Sequence, residues 1–217
     1  MNKTPASMLV IEWQQFLRNG LQLKKPACST KLASKLAFSK LSVTVGVFDG
    51  VHRGHQELIS NVVSYNADYV PVIVTFRTIN NEQLTMNKDR YDILSFQQRL
   101  ALFEKLGIRI VVVIDFTDEF KQMSGIDFLQ NLLNNGNVGY FAVGSGFKCG
   151  YQSDTDAEAV KKFFTSHGVA AEIVPHVMEG NLPISSSRIR KVIAEGNMEL
   201  AQSMLGHEKP VTPLVSP

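Results

Sequence analysis

Apolar residues in this chain fall into blocks. Five runs are almost continuous in apolar or β-branched residues: LSVTVGVF (41–48), YVPVIVTF (69–76), IRIVVVI (108–114), GYFAVG (139–144) and VAAEIVP (169–175). A strand with one wet face alternates apolar and polar side chains. A strand covered on both faces reads as an unbroken apolar run, as in parallel sheets. Between the runs the pattern lengthens to a helical period. One helix is expected from about Gly54 to Tyr65. The next starts at Ser95, where Ser95 and Gln98 spell a capping box, and stops at Gly107. A third begins near Ser124, with Phe128, Leu129, Leu132 and Leu133 on one face, and a fourth covers roughly Asp154 to Ser166. Two more span 185–194 and 197–205, closed by Gly196 and Gly206. Strands alternating with helices imply right-handed crossovers and an α/β fold, a doubly wound five-stranded parallel sheet with helices on both faces. Ligands in such folds bind beyond the carboxyl ends of the strands, where the strand order reverses.

The flanks read differently. Residues 1–40 form an amino-terminal extension, helical over IEWQQFLRN, with Trp13 and Phe16 packing that helix on the sheet. KKPACSTKLASKLAFSK is basic and serine-rich, a loop plus helix, and residues 208–217 are a proline-rich tail to a domain spanning 41–207. RTINNEQLTMNKDRYDI (77–93) reads as a long polar loop beside the sheet.

Composition narrows the class. The 217 residues are 44% hydrophobic and 19% charged, enough for one large packed domain. A net charge of +2 points away from nucleic acid and membrane surfaces. Cys28 and Cys149 stand far apart with no CxxC pair, so neither a disulfide framework nor a structural zinc site is expected. The short run MLVI is too small for a secretory core or a membrane span. The expectation is a reduced, cytoplasmic protein. Its oligomeric state is not legible.

The chemistry concentrates in GVFDGVHRGHQELI (46–59), where a strand turns into a helix. Such a turn presents free N–H groups at the positive end of the helix dipole, which suits phosphate. Gly46, Gly50 and Gly54 let the backbone approach a ligand. The P-loop pattern is absent, and no lysine opens the helix. His52 and His55, three apart, can reach one site and donate to phosphate oxygens. Asp49 could cap the turn or help hold Mg²⁺. Metal binding by the histidine pair needs a third ligand that the local sequence does not offer. A second stretch, PISSSRIRKVIAEG (183–196), puts Ser185, Ser186 and Ser187 at a helix start beside Arg188 and Arg190. Hydroxyls, free N–H groups and guanidinium forks there make either an anion site or an ordinary capped helix with solvated arginines.

VGVFDGVHRGHQELI resembles the G-x-F-D-G-x-H-x-G-H signature of the bacterial FAD synthetase (FMN adenylyltransferase) family, one of the HxGH nucleotidyltransferases with a Rossmann-like fold. PISSSRIRKVIAEGNMELAQSMLG (183–206) resembles that family's ISSTxIR motif and its LG ending. VTF (74–76), QLT (83–85), FEKLGI (103–108), FTDEFKQMS (116–124) and VGSGFKCG (143–150) follow in the same order, so the resemblance covers roughly 41–207. It implies adenylyl transfer from ATP to the phosphate of FMN, giving FAD and pyrophosphate, with Mg²⁺ accompanying ATP. His52 and His55 would stabilise the α-phosphate. Ser186, Ser187 and Arg190 would hold the β- and γ-phosphates, with Arg190 also in the catalytic set. Gly46, Val47, Phe48, Asp49, Gly50 and Gly54 would form the nucleotide cradle. Phe76, Gly146 and Phe147 would face the flavin acceptor.

The sequence departs from that pattern on the acceptor side. TFRTINNEQ replaces a segment resembling TFDPHP, and VGSGFKCG puts Gly146 at an Asp/Asn position and Cys149 at an aromatic one. No riboflavin kinase segment follows the LG ending, so kinase activity is not expected. Two alternatives stay open: a nucleotide- or flavin-binding homologue without activity, and an adenylyltransferase for another phosphorylated acceptor. Arg99 is expected on an exposed helix face. His167, His176 and His207 stand alone and read as structural or solvated.

Overall fold

The computed structural model describes residues 8–21, 39–77 and 92–208. Much of the extension (1–7, 22–38), most of the polar loop (78–91) and most of the tail (209–217) therefore lie outside the described residues. A six-stranded parallel sheet holds the fold, in the order β1-β4-β3-β2-β5-β8. Its strands are β1 (Leu9–Glu12), β2 (Leu41–Val45), β3 (Val70–Phe76), β4 (Ile110–Ile114), β5 (Val138–Gly144) and β8 (Ala170–Val174). The five expected strands are all present. The sixth, β1, corrects the expected count. LVIE pairs with β4, Leu9 opposite Ile110, and the helix begins only at Trp13. Four residues joined directly to a helix give too short a pattern to separate from it.

The helices are α1 (Trp13–Asn19), α2 (Arg53–Ser64), α3 (Phe96–Lys105), α4 (Asp118–Lys121), α5 (Gly125–Asn135), α6 (Ala157–Ser166), α7 (Ser186–Ala194) and α8 (Met198–Leu205). Their ends follow local chemistry. Ser95 and Gln98 form the reciprocal capping box, and Gly206 closes α8 with φ 68°.

Both sheet faces are covered, which explains the apolar runs. On one face Val43, Val45, Val72, Val74 and Val112 pack with Trp13 and Phe16 of α1, Phe128, Leu129 and Leu132 of α5, and Val160 and Phe164 of α6. On the other, Ile73, Val111, Val113 and Ala142 meet Ile59 and Val62 of α2, Phe103 of α3, Ile189 of α7 and Leu205 of α8. Where α2 lies close over β2 the strand side chains are small and polar. Ser42 hands its hydroxyl proton to the Val62 carbonyl at 2.5 Å. Two-residue ribbons, β6 (Lys148–Cys149) with β7 (Thr155–Asp156) and β9 (Met178–Glu179) with β10 (Leu182–Pro183), edge the sheet's carboxyl end. Among the described residues no helix is long and apolar enough to cross a membrane.

From β2 the chain steps outward to β3 and β4, then returns past β2 to β5 and β8. The strand order thus reverses between β2 and β5. Their carboxyl ends lead into Gly46 and Gly146.

Candidate active site

After β2 the chain makes a tight turn into α2. Phe48 (φ 55°), Gly50 (φ 80°) and Val51 (φ 40°) all have left-handed backbone. That region is costly for a bulky or β-branched residue, of order 1–3 kcal/mol, and persists only where neighbours enforce it. Here they do. The Val47 carbonyl accepts from Arg99 Nη1 at 2.7 Å and from Thr75 Oγ1 at 3.3 Å. The Phe48 carbonyl accepts from Val51 N at 3.1 Å. The Asp49 carbonyl accepts from Ser186 Oγ at 2.8 Å, and the Val51 carbonyl from Gln56 Nε2 at 2.8 Å. His207 Nε2 lies 2.9 Å from the Gly50 carbonyl, which can only accept. Every carbonyl from Val47 to Val51 is therefore bonded.

Asp49 ties this turn to two other segments. Its Oδ1 accepts from Ile93 N at 2.9 Å and Leu94 N at 3.4 Å, and its Oδ2 pairs with Arg190. The pair is almost fully buried, Asp49 2% and Arg190 9% exposed. Asp49 is thus committed to Ile93, Leu94 and Arg190, a tie between distant segments in place of a cap on its own turn. Arg190 reaches inward to Asp49 and is not among the residues lining the cavity beside it. Gly50 also turns inward, against Ile93 and Leu205.

The histidines sit at the start of α2. Their rings stack with centroids 3.6 Å apart and a 17° interplanar angle. His52 Nδ1 accepts from His55 N at 3.3 Å and so caps the helix. A neutral His52 then carries its proton on Nε2. Burial, reinforced by His207, holds the His52 imidazole down at about 4, so it is neutral at pH 7. His55 is also pushed well below the usual histidine range, by burial and then by His52 and Arg99. Gly54 makes room for the stack: a Cβ there would lie 3.3 Å from the His52 ring.

Two adjoining cavities open at the carboxyl ends of β2 and β5. One, of about 350 Å³, is lined by Gly46, Val47, Phe48, His52, Gly54, His55, Gly146, Phe147, His176 and Ser185, Ser186 and Ser187 at the start of α7. The other, of about 410 Å³, is lined by Phe76, Phe116, Phe120, Phe128, Phe147, Gly146, Lys121, Lys148 and Cys149. Phe76, Phe116 and Phe120 form a ring cluster with centroids 5.7–5.9 Å apart. Burial and the nearby Asp154 push the Cys149 thiol up to about 12, so it is a poor nucleophile. The cavities share a wall of Val45, Gly46, Val47, Gly146 and Phe147. The structure thus brings together most of the expected site residues: Phe48, His52, Gly54, His55, Ser186 and Ser187 on the first cavity, Phe76 on the second, Gly46, Val47, Gly146 and Phe147 on both. Among the described residues no group of three or more His, Cys, Asp or Glu side chains could hold a metal ion.

A profile of the FAD synthetase family matches residues 35–188. This chain belongs to the FAD synthetase family. The bifunctional riboflavin kinase/FMN adenylyltransferase of Buchnera aphidicola subsp. Acyrthosiphon pisum is 28% identical over 167 residues, 76% of this chain and 53% of that protein. The FAD synthetase of Listeria monocytogenes is 27% identical over 186 residues, 80% of this chain and 71% of that protein. The chain spans about half the length of the bifunctional relatives it matches. The fold is shared with a solved structure named as the macrolide-efflux protein of Streptococcus pneumoniae, with TM-score 0.70 and 23% identity over 93% of this chain and 61% of that one.

Against the family motifs, the residues that sequence reading missed are those acting across long separations. Arg99, expected on a solvated face, is 0% exposed and holds Val47, 52 positions away. His207 meets Gly50 across 157 positions. Neither has a local signal. His176 follows a strand, as site residues in this fold do, and that was the available clue. Phe116 and Phe120 lie inside the quoted FTDEFKQMS segment.

Proposed function

We propose that this chain transfers the adenylyl group of ATP to the phosphate of FMN, forming FAD and releasing pyrophosphate. One observation carries the reading beyond family membership: a histidine-lined cavity at two helix starts shares a wall with an aromatic cavity. A triphosphate suits the first and a planar ring system the second. In this reading an FMN phosphate oxygen attacks the α-phosphorus of ATP, the bond to the β-phosphate oxygen breaks, and pyrophosphate leaves. No covalent enzyme intermediate is needed, so the protein's part is positioning and charge stabilisation. His52, neutral and fixed by its cap, offers Nε2–H to the α-phosphate, and His55 stands stacked beside it. The Ser187 hydroxyl and the N–H groups of Ser186 and Ser187 hold the leaving phosphates at the start of α7, while the Ser186 hydroxyl stays on the Asp49 carbonyl. Arg190 adds positive charge behind them while anchoring Asp49. Magnesium enters with ATP, bound by phosphate oxygens and water. Phe76, Phe116 and Phe120 receive the flavin ring, and Lys121 and Lys148 supply positive charge at that cavity.

The test is pyrophosphate release from MgATP with FMN, set beside a panel of other phosphorylated acceptors. FMN should support release, and His52→Ala or His55→Ala should each lower turnover by roughly 10²–10³, as for loss of a preorganised donor. Near-full turnover in both variants, or release only with another acceptor, would sink this reading.

A further inference from the structure

His176 belongs to neither motif, yet it stands where the two cavities meet. It follows β8 through Pro175, whose ring fixes the local backbone. Both flanks are pinned: Ser145 N donates to the Val174 carbonyl and Ile184 N to the Val177 carbonyl, each at 2.9 Å. The imidazole lines the nucleotide cavity and leans on Gly146, part of the wall shared by both cavities. A Cβ on residue 146 would lie 3.2 Å from His176 Cε1 and 3.4 Å from Nε2, so the glycine makes room for this ring. The ring is exposed and makes no hydrogen bond among the described residues. A polar ring held in place at a cavity wall, with no protein partner, is set to meet a ligand.

We infer that His176 donates a hydrogen bond to the α-phosphoryl group of ATP while its phosphorus exchanges the pyrophosphate oxygen for the FMN phosphate oxygen. The inference rests on the adenylyl-transfer reading above and adds a substrate-touching residue to it. That exchange takes place where the two cavities adjoin, and an imidazole N–H beside Gly146 is placed to meet it. The lean on Gly146 also couples the two positions. A side chain at 146 displaces the ring, so Gly146→Asn should reduce turnover in the parent and have little further effect in His176→Ala.

Steady-state pyrophosphate release by the full chain with MgATP and FMN tests this in His176→Ala, His176→Gln and His176→Phe. A contact made while the α-phosphorus exchanges oxygen partners affects kcat and kcat/KM together. Ala and Phe should lower kcat roughly 10- to 100-fold, the scale of one hydrogen bond to a charged group. KM for both substrates should stay within about threefold, thermal unfolding should match the parent, and Gln should restore most of the rate. Parent rates in the Phe variant would show a space-filling role and overturn the inference, as would an unchanged Ala variant or an effect on KM alone. If the parent releases no pyrophosphate with FMN, adenylyl transfer to FMN falls, and release with another phosphorylated acceptor reads His176 separately. The same loss of kcat in the Ala and Phe variants with that acceptor then supports the contact; parent rates in either variant, or no release with any acceptor, overturn it.

Discussion

Asp49 shows how a motif residue can serve a site without facing it. Its carboxylate meets two backbone N–H groups and Arg190 in a nearly dry environment. Buried ion pairs add little over a well-packed apolar core, but removing one partner strands the other charge at a cost of about 3–5 kcal/mol. Asp49→Ala should destabilise the chain by that amount in urea unfolding. A loss under about 1 kcal/mol would mean that the carboxylate acts mainly on ligand. The sequence singled out Asp49, Arg190 and the histidines as candidate site positions, and the structure places all four around one turn. It could not say which faced the cavity, because the ion pair joins residues 141 positions apart. Arg99 was missed for the same reason. An arginine among helical polar residues reads as solvated until its carbonyl partner is known.

At the scale of elements, α8 and the two residues after it act as a strap on the histidine turn. Gln56 Nε2 donates to the Leu205 carbonyl at 2.7 Å as well as to Val51, and His207 holds Gly50. Arg53 and Ser203 meet on Glu179, at 2.5 and 2.9 Å. The strap comes from beyond residue 188, where the family match ends. His207→Ala frees the Gly50 carbonyl and lets the turn relax. Because small misplacements are costly in phosphoryl chemistry, kcat should fall by about 10- to 100-fold while the melting temperature moves only a few degrees. Unchanged kcat would show that the contacts to the other four carbonyls suffice. Elements were legible where pattern and boundary signals agreed, as at Ser95 for α3 and Gly206 for α8. β1 was not, since its strand character comes from pairing with Ile110–Val113 and not from its own four residues.

For the whole molecule, the buried imidazoles set an acid limit. The unfolded chain protonates His52 near 6.5, the folded chain only near 4. The unfolded state therefore binds more protons between these values. Stability is full above 6.5, declines as pH falls through the window, and levels off below 4. The His52 contribution to this loss is on the order of 3 kcal/mol, and His55 shifts in the same direction. Urea midpoints should drop between pH 7 and a pH inside that window, and should drop less in His52→Ala. A flat profile would contradict burial of neutral rings. The parallel sheet was legible at this scale because covering both faces writes itself into the runs. The partition into two cavities was not, since the shared wall joins Val45, Gly46 and Val47 to Gly146 and Phe147, residues far apart in sequence.

That wall has a neighbour with its own use. Trp13 is the chain's single tryptophan. It lies 5.6 Å from Phe128 and 6.1 Å from Phe120, centroid to centroid, and both phenylalanines are in its packing shell. Phe120 and Phe128 also line the aromatic cavity. In the reading proposed above, this puts a built-in fluorophore one ring away from the flavin. An isoalloxazine seated there would absorb where indole emits, so energy transfer would make the tryptophan's brightness a direct gauge of occupancy. The helix that packs on the sheet through Trp13 and Phe16 would thus supply an optical window on the aromatic cavity.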